Sequence, residues 1–320
     1  MKKIFILLLI VILGLPLIGL GYSSMYLSKM HDSELNTSSL NNLDYDNKDG
    51  ITNILIMGSD ARPGEKVSRT DSTMILTIDR IHKDIKITSL ARDTFVDIPG
   101  VGYSKLTHAY AYGKEDLLVR TIEKNFGLDI NNFVFFNFQS FMSIINALGG
   151  VDVNLSWAEI KEMNKFIYEC YQWCDYPNKG EIKYVKWPGK QVLNGYQALA
   201  FARIRHNDSA FGRDGRQRFI VEAVLKKIKK APIYKYPSII KSLAPYIKTD
   251  MTTPEMLRLG FDVLKIGPGN MKQMEFPIVN PPGYSTGGIF GRHGWVLRFK
   301  DSTVDDLKNF IFNDVVFSGK

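Results

Sequence analysis

The first uncharged stretch of the chain is long enough to be a membrane anchor. It runs from Ile4 to Gly21, eighteen residues that are mostly Ile, Leu and Val, and Lys2 and Lys3 precede it. At about 1.5 Å per helical residue this run nearly spans a ~30 Å hydrocarbon core, and residues 22–27 complete the crossing. The two lysines predict a cytoplasmic tail of residues 1–3, so everything after residue 27 is expected outside the cytoplasm. The alternative is a cleaved signal peptide, since Gly19-Leu20-Gly21 has the small-x-small pattern of a cleavage site.

After a polar tether at residues 28–50, rich in Ser, Asn and Asp, the pattern changes to alternating strands and helices. Strands are predicted at 52–58, 72–79, 84–90, 131–138, 151–155, 271–278 and 295–299. Helices are predicted at 105–126 with a break at Gly113, and at 138–150, 194–202, 214–230, 236–247, 254–265 and 303–312. Residues 156–190 show no clear pattern, and residues 280–294 are expected to be a loop. Interleaved strands and helices predict one three-layer α/β domain around a sheet, from residue 51 to residue 320.

Composition narrows the class of protein only in part. A chain of 320 residues that is 45% hydrophobic and 23% charged can bury a large core, which excludes a disordered protein. The net charge of +8 suits a nucleic acid, an anionic membrane or an anionic polymer equally well. Outside the cytoplasm, Cys170 and Cys174 can form a disulfide, although a spacing of four helical residues would strain it, and both states remain open.

Two aspartates stand beside predicted strand ends. Asp60 follows the first strand and Asp71 begins the next one. Ligands of α/β sheets collect at strand ends, and Mg²⁺ takes one or two carboxylates beside water and phosphate oxygens. The pair therefore predicts a metal site for Mg²⁺, with Mn²⁺ as the alternative. The competing interpretation is that each carboxylate pairs with an arginine or caps a turn.

Arginines gather near the same predicted strand ends. Guanidinium groups bind phosphate oxygens in bidentate fashion, so this set predicts a phosphate site rather than a surface network of ion pairs. A spacing of two in an extended chain places Arg203 and Arg205 on one side and buries Ile204 between them. A helix N-terminus near Asp214 also favours an anion, and Arg216 shares a stripe with buried positions there. The candidates for this site are Arg69, Arg92, Arg203, Arg205, Arg213, Arg216 and Gln217.

The sequence resembles the LytR-CpsA-Psr family. The matching segments occur in family order between Asn53 and Ile220, about half of the chain. They are "NILIMGSDAR", "SRTDSTMILTID", "SLARDTFVDIPG", "KLTHAYAYG", "ALGGVDVNL", "LNGYQALAFARIRH" and "FGRDGRQRFI".

The resemblance implies an α/β/α sandwich and a phosphotransferase held in the cell membrane, with its catalytic domain outside the cytoplasm. Such enzymes move a teichoic acid or capsular polysaccharide from a polyprenyl pyrophosphate carrier to peptidoglycan. It assigns Mg²⁺ to Asp60 and Asp71, the pyrophosphate to the arginines and Gln217, and a base or positioning role to Asp93 beside Arg92. Many relatives carry Asp immediately before the Phe-Gly-Arg of the last segment, whereas this chain has Ala210, with Asp208 two positions earlier.

Three other functions fit parts of the sequence. A membrane-anchored polyprenyl pyrophosphate phosphatase would use nearly the same site, with water in place of the sugar hydroxyl. A regulator that binds nucleic acid suits the basic charge, but the predicted orientation of the anchor opposes it and no helix-turn-helix signature occurs. A passive adhesin for wall polymers would show no turnover. We expect membrane lipid, a lipid-linked glycopolymer and peptidoglycan as partners, and no nucleic acid.

Overall fold

The predicted strands and helices can be compared with a computed structural model of the chain. It describes residues 25–31, 48–59, 70–174, 179–204, 235–266, 271–278 and 284–316, together with residues 216, 219, 220, 223, 227 and 232. The strands are β1 (Ile51–Ser59), β2 (Thr70–Asp79), β3 (Asp84–Leu90), β4 (Phe95–Ile98), β5 (Gly102–Lys105), β6 (Asn132–Phe136), β7 (Val151–Leu155), β8 (Gly189–Leu193), β9 (Ile247–Thr249), β10 (Met271–Phe276), β11 (Ser285–Ile289) and β12 (Trp295–Phe299). The helices are α1 (Leu106–Phe126), α2 (Phe138–Ala147), α3 (Trp157–Gln172), α4 (Gly195–Ala202), α5 (Tyr236–Leu243), α6 (Thr253–Ile266) and α7 (Ser302–Asn313).

Six of these strands form a central mixed sheet in the order β10-β3-β2-β1-β6-β9. The β1–β2 and β2–β3 pairs are antiparallel, and β10 pairs with β3 in parallel. The turn between β2 and β3 comprises residues 80–83, as the sequence predicts. The strand predicted at 84–90 is confirmed residue for residue, and so is the one at 295–299. The mixed α/β class predicted from the sequence is therefore confirmed.

Helices α1 and α7 cover one face of this sheet. Alternate residues of β1 and β2, including Leu55, Met57 and Ile75, lie in one apolar cluster with residues of both helices. Ile54, Ile56 and Leu76 are also buried, so the strands are apolar on both faces. A continuous apolar strand of this kind is typical of a sheet that is covered on both sides.

Helix α1 contains the break that Gly113 predicts. Gly113 has φ −147° and ψ 24°, and Lys114 has φ 56° and ψ −149°, so the two halves of α1 meet at a kink. A Cβ at position 113 would lie 2.5 Å from Cβ of Leu117, which is closer than carbon atoms can pack. Only glycine fits at this kink.

A buried ion pair connects β2 and β3 next to the turn that joins them. The side chain of Lys86 is fully buried, and its Nζ donates to Oδ2 of Asp79 at 2.6 Å and to the carbonyl of Ile311 at 3.0 Å. Burial alone would raise the pKa of Asp79, but hydrogen bonds from the backbone of His82 and from Lys86 lower that pKa below its ordinary value. The end of α7 is thereby attached to the sheet.

The prediction that residues 156–190 are irregular is wrong at its start. Residues 157–172 form α3, whose N-terminus has a capping box in which the Ser156 and Glu159 side chains bind each other's backbone N–H. Ile160, Met163 and Ile167 form its buried stripe. The helix obeys ordinary start signals, which exposed aromatic residues on its other faces obscure.

The loop predicted at residues 280–294 also needs correction. Residues 285–289 form β11, which pairs antiparallel with β12 to make a hairpin. The strand has the sequence STGGI, and two glycines without side chains leave no alternation to detect. Its pairing depends on β12, which is a contact that a local pattern cannot reveal.

Residues predicted as one domain fall into two compact units. Among the described residues, the helical unit contains 25–30 and 136–247, and the sheet unit contains 31–135 and 248–316. No helix in the described part of the chain is both long and apolar enough to cross a membrane. Most of the anchor predicted at 4–27 lies outside the described residues, and so does most of the tether at 28–50.

Candidate active site

In the sheet unit, a short loop after β3 carries Arg92 and Asp93. The carbonyl of Ala91 accepts from the N–H of Thr94 at 3.0 Å and from its Oγ1 at 2.6 Å, which closes a tight turn. The carbonyl of Arg92 accepts from the N–H of Thr107 at 3.1 Å, and the carbonyl of Asp93 accepts from the N–H of Leu297 at 2.9 Å. The backbone of the loop is therefore attached to both α1 and β12.

The side chains of this loop form a small charged group. Oδ1 of Asp93 lies 2.8 Å from Nζ of Lys105, and Oδ2 lies 3.4 Å from Nε of Arg92. Arg92 has a side-chain exposure of 54%, whereas Asp93 and Lys105 are only 23% and 21% exposed. The carboxylate is thus held by a partly buried ammonium group, while the guanidinium extends into solvent. Such a group can bind an oxyanion and accept a proton.

Lys105 is a member of this group that the sequence analysis did not select. It is the last residue of β5, and the antiparallel pairing of β4 with β5 sets Lys105 opposite Phe95. That register brings it to within reach of Asp93. The one signal in the sequence is its place at the start of the "KLTHAYAYG" segment.

The start of β2 has an irregularity at Asp71. In the β1–β2 pairing, Gly58 is opposite Ser72 and Ser59 is opposite Thr70, so Asp71 is an extra residue with no partner position. A bulge of this type redirects a side chain and is common beside active sites. The structure describes only the backbone of Asp71, and Asp60, which follows Ser59 directly, lies outside the described residues.

The predicted metal site therefore remains a prediction. The strand pairing places the backbone of Asp71 beside the end of β1, after which Asp60 follows, and two carboxylates suit Mg²⁺. Within the described ranges, no group of three or more His, Cys, Asp and Glu side chains is arranged to hold a metal ion.

In the helical unit, Arg203 lies at the end of α4 and turns towards α3. Its Nη1 donates to Oε2 of Glu169 at 2.8 Å, and its guanidinium lies 4.5 Å from the ring centre of Trp173 and 5.1 Å from that of Phe166. Burial alone would lower the pKa of Arg203, but the bond with Glu169 raises it above its ordinary value. The side chain is 23% exposed, and Glu169 and the two rings hold it against α3.

Arg216 is buried even more deeply. It is 1% exposed, its Nη1 donates to the carbonyl of Ile204 at 3.3 Å, and its Nε lies 3.8 Å from Oε1 of Glu159. Ile204 is fully buried, as predicted. Arg216 thus binds the backbone directly after Arg203, and it is buried together with Ile220 on the stripe that the sequence predicts for it.

Carboxylates of α3 therefore pair with both arginines described in the helical unit. Glu159 and Glu169 lie in its first and last turns. This helix is the element that sequence analysis missed, and its contribution to the site was missed with it. The remaining candidates lie outside the described residues: Asp60, Arg69, Arg205, Arg213 and Gln217.

Both cysteines are buried free thiols. Sγ of Cys174 lies 3.5 Å from the carbonyl oxygen of Cys170 and 3.3 Å from Sδ of Met142. Desolvation by burial raises the pKa of Cys170 to about 11. The thiol is therefore protonated at neutral pH, which makes it a weak nucleophile.

The arrangement of these elements agrees with known proteins. A model of the LytR_cpsA_psr family matches residues 20–293. The chain belongs to this family. A relative from Bacillus mycoides (strain KBAB4), named polyisoprenyl-teichoic acid–peptidoglycan teichoic acid transferase TagU, is 32% identical over 262 residues, which are 80% of this chain and 76% of the relative.

Solved structures of family members share the fold. The structure of TagT bound to LI-WTA aligns with a TM-score of 0.58 and 25% identity, over 85% of this chain and 94% of that one. A structure of the LytR-CPS2A-psr family protein YwtF (TagT) with bound octaprenyl pyrophosphate lipid aligns with a TM-score of 0.55 and 24% identity, over 85% and 93% of the two chains. The mixed α/β fold of this chain is therefore the fold of the family.

Proposed function

We propose that this protein transfers an anionic glycopolymer of the teichoic acid or capsular polysaccharide type from a polyprenyl pyrophosphate carrier to peptidoglycan. Two independent lines support the proposal. A relative at 32% identity is named as a teichoic acid transferase of this kind. The loop after β3 also offers a guanidinium group and a carboxylate on a backbone that is held by α1 and β12.

The proposed reaction is a phosphoryl transfer. A hydroxyl oxygen of the peptidoglycan glycan attacks the phosphorus that carries the glycopolymer, and a new P–O bond forms. The bond from that phosphorus to the bridging oxygen breaks, and polyprenyl phosphate leaves with the electron pair. The proton of the hydroxyl passes to a carboxylate, which we assign to Asp93.

The described side chains suit these roles chemically. Arg92 is 54% exposed and can donate to the phosphoryl oxygens, on which negative charge grows during transfer. Lys105 restricts the Asp93 carboxylate to one orientation, since the two groups are 2.8 Å apart. Arg203 is held by Glu169 and by aromatic rings, which fixes the guanidinium before substrate binds.

The proposal includes a metal ion and further phosphate ligands. Asp60 and Asp71 would hold Mg²⁺, or Mn²⁺, which supplies positive charge beside the pyrophosphate. Arg69, Arg205, Arg213, Arg216 and Gln217 complete the expected set of pyrophosphate ligands. The burial of Arg216 against Ile204 gives that residue a supporting part as well.

The same proposal places the protein in the cell membrane through residues 4–27, with residues 51–320 outside the cytoplasm. It also expects the three-layer α/β/α arrangement of the sheet and helices. The membrane placement follows from the reaction, because a polyprenyl carrier resides in the membrane and peptidoglycan lies outside it.

The decisive observation in this chain is the fixed Arg92–Asp93 loop, and reconstitution of the reaction tests it. Purified full-length protein is incubated with a polyprenyl pyrophosphate-linked teichoic acid whose polymer is radiolabelled, with and without polymer-free peptidoglycan. We expect label in the peptidoglycan fraction and its loss in Arg92→Ala. Release of free polymer at the same rate without peptidoglycan would instead show a phosphatase, and full transfer by Arg92→Ala would contradict the assigned site.

A further inference from the structure

Two hairpins of the sheet unit expose large apolar side chains at their tips. Ile289 is 83% exposed and Trp295 is 49% exposed, and these two residues face each other across the β11–β12 pair. Phe290 is 45% exposed at the turn between them, and Val101 and Tyr103 are 50% and 62% exposed in the β4–β5 hairpin. We call these five residues the hairpin surface.

The ring of Phe95 makes the hairpin surface continuous. Its centre lies 5.5 Å from that of Tyr103 and 5.3 Å from that of Phe290, so one ring touches both hairpins. The indole of Trp295 is also packed closely against its own hairpin, because a Cβ at Gly287 would lie 2.6 Å from Cζ2 of that ring. The aromatic side chains of the hairpin surface are therefore held in position by their packing.

Positive charge borders the hairpin surface. Arg292 and Arg298 are exposed in the β11–β12 hairpin, and the guanidinium of Arg298 lies 5.3 Å from the ring centre of Phe290. The nearby carboxylate of Asp97 is engaged by Lys124 at 2.6 Å. Exposed aliphatic and aromatic residues with adjacent arginines are the composition of a protein surface that enters the headgroup region of an anionic bilayer.

The hairpin surface is connected directly to the candidate catalytic loop. The N–H of Leu297 donates to the carbonyl of Asp93, and Thr94 forms an isolated bridge with Leu297. Only one residue separates Trp295 from Leu297 in β12. A partner that binds the hairpin surface therefore binds within a few residues of Asp93.

We propose that the hairpin surface docks on the anionic lipid bilayer and so brings the Arg92–Asp93 loop to the membrane surface. This inference rests on the proposed function, in which the phosphate of the donor lies just above the lipid. A sugar chain is a poorer fit, because sugars stack on flat rings, whereas Ile289 and Val101 are aliphatic and Ile289 is the most exposed member. Hydrocarbon and headgroups accept both kinds of side chain and pair with the arginines.

Site-specific lipid contact tests this docking in the full-length protein. Cys170 and Cys174 are buried, so a cysteine introduced by Ile289→Cys can be labelled selectively with an environment-sensitive fluorophore. The protein is reconstituted in vesicles of phosphatidylglycerol and phosphatidylethanolamine that contain brominated lipid. The matched control is Ile81→Cys, because Ile81 is also an exposed isoleucine of the sheet unit but lies in the β2–β3 turn.

We expect brominated lipid to quench the label at position 289 strongly and the label at position 81 hardly at all. Quenching at position 289 should weaken when phosphatidylglycerol is replaced by phosphatidylcholine. Equal quenching at both positions, or none at position 289, would overturn the proposal. Protection of position 289 by polymer-free peptidoglycan, without quenching by lipid, would assign the surface to the glycan and also overturn it.

A second variant separates this inference from the proposed function. Ile289→Asp should lower transfer from a long-chain donor in vesicles by roughly tenfold. The free energy that an apolar side chain of this size gains on leaving water corresponds to about that factor in an equilibrium constant. Transfer from a short-chain, water-soluble donor should be unchanged, and so should thermal stability. If the wild-type protein transfers from neither donor, the proposed function fails, and the quenching result still decides the docking.

Discussion

Nζ of Lys105 lies 2.8 Å from Oδ1 of Asp93 at the end of β3, and both side chains are about three-quarters buried. The pair joins Lys105, the residue that precedes α1, to the loop that follows β3. It orients a carboxylate whose other oxygen lies 3.4 Å from Nε of Arg92. A merely structural ion pair and a pair that serves catalysis differ in what their loss does to activity.

Replacing Lys105 with methionine should therefore reduce transfer by about tenfold at neutral pH with little loss of stability. The loss should fall on kcat rather than on KM, because Lys105 orients the Asp93 carboxylate and does not bind the donor itself. Steady-state transfer assays over a range of donor concentrations separate the two constants. Lys124→Met, which breaks the similar Lys124–Asp97 pair, is the control and should leave both constants unchanged. An unchanged kcat in Lys105→Met would limit Lys105 to a structural role.

Two arginines predicted to bind the same pyrophosphate should behave in opposite ways when truncated. Arg216→Ala removes a 1% exposed side chain that binds the Ile204 carbonyl, and it should cost about 3 kcal/mol of unfolding free energy. Arg92→Ala removes a 54% exposed side chain, so it should change stability by less than ~0.5 kcal/mol while lowering transfer about a hundredfold. Denaturant titration and transfer assays of both variants measure the contrast. A stable Arg216→Ala protein would contradict the buried placement.

Arg203 should contribute to stability before any substrate binds. Arg203→Lys keeps the charge but loses the planar contact with Trp173 and Phe166, and we expect a loss of about 1 kcal/mol. Thermal denaturation measures the loss. Arg120→Lys is the matched control, because Arg120 forms an exposed pair with Asp116 and its replacement should have almost no effect. Equal stability of the two variants would mean that the aromatic contacts of Arg203 are energetically neutral.

A buried glutamate of α1 should make stability depend on pH. Desolvation raises the pKa of Glu123 to about 7, from 4.5 for an ordinary side chain. The folded state therefore binds a proton more tightly than the unfolded state, and stability falls as pH rises from about 4.5 to about 7.

Glu123→Gln removes this titration and should be more stable than the wild type by about 3 kcal/mol at pH 8, with little difference at pH 4. Denaturant titrations at the two pH values measure the change. Glu181→Gln alters an exposed glutamate and is the matched control, which should change stability by less than ~0.5 kcal/mol. A stability difference that is the same at both pH values would exclude a neutral, buried Glu123.

Local patterns in the sequence predict the parts of the fold that depend on neighbours in the chain. The strand at 84–90, the kink at Gly113 and the burial of Ile204 follow from residue type and spacing alone. The start of α3 also depends only on residues close together in the chain. Its apolar stripe is hard to recognise in the sequence because exposed Trp157 and Tyr168 interrupt the pattern. Strand β11 could not be predicted in this way, because its glycines gain their structure from pairing with β12.

The residues of the candidate site also differ in whether nearby sequence predicts them. Arg92 and Asp93 could be found because they follow a strong strand and match a family segment. Lys105 joins them only through the register of β4 with β5, which brings together residues twelve positions apart in the chain. Likewise, the partners of Arg203 and Arg216 lie on a helix more than thirty positions away in sequence from one and more than fifty from the other.

The backbone bonds around the loop after β3 have a mechanical consequence. The N–H of Ala91 donates to Phe276 of β10, the carbonyl of Asp93 accepts from β12, and the carbonyl of Thr94 accepts from the N–H of Leu106 at the start of α1. A segment with three such anchors cannot act as a swinging gate. The loop therefore keeps its position while substrate binds and product leaves. Amide hydrogen exchange of Ala91 and Leu297 should be as slow as that of the sheet itself.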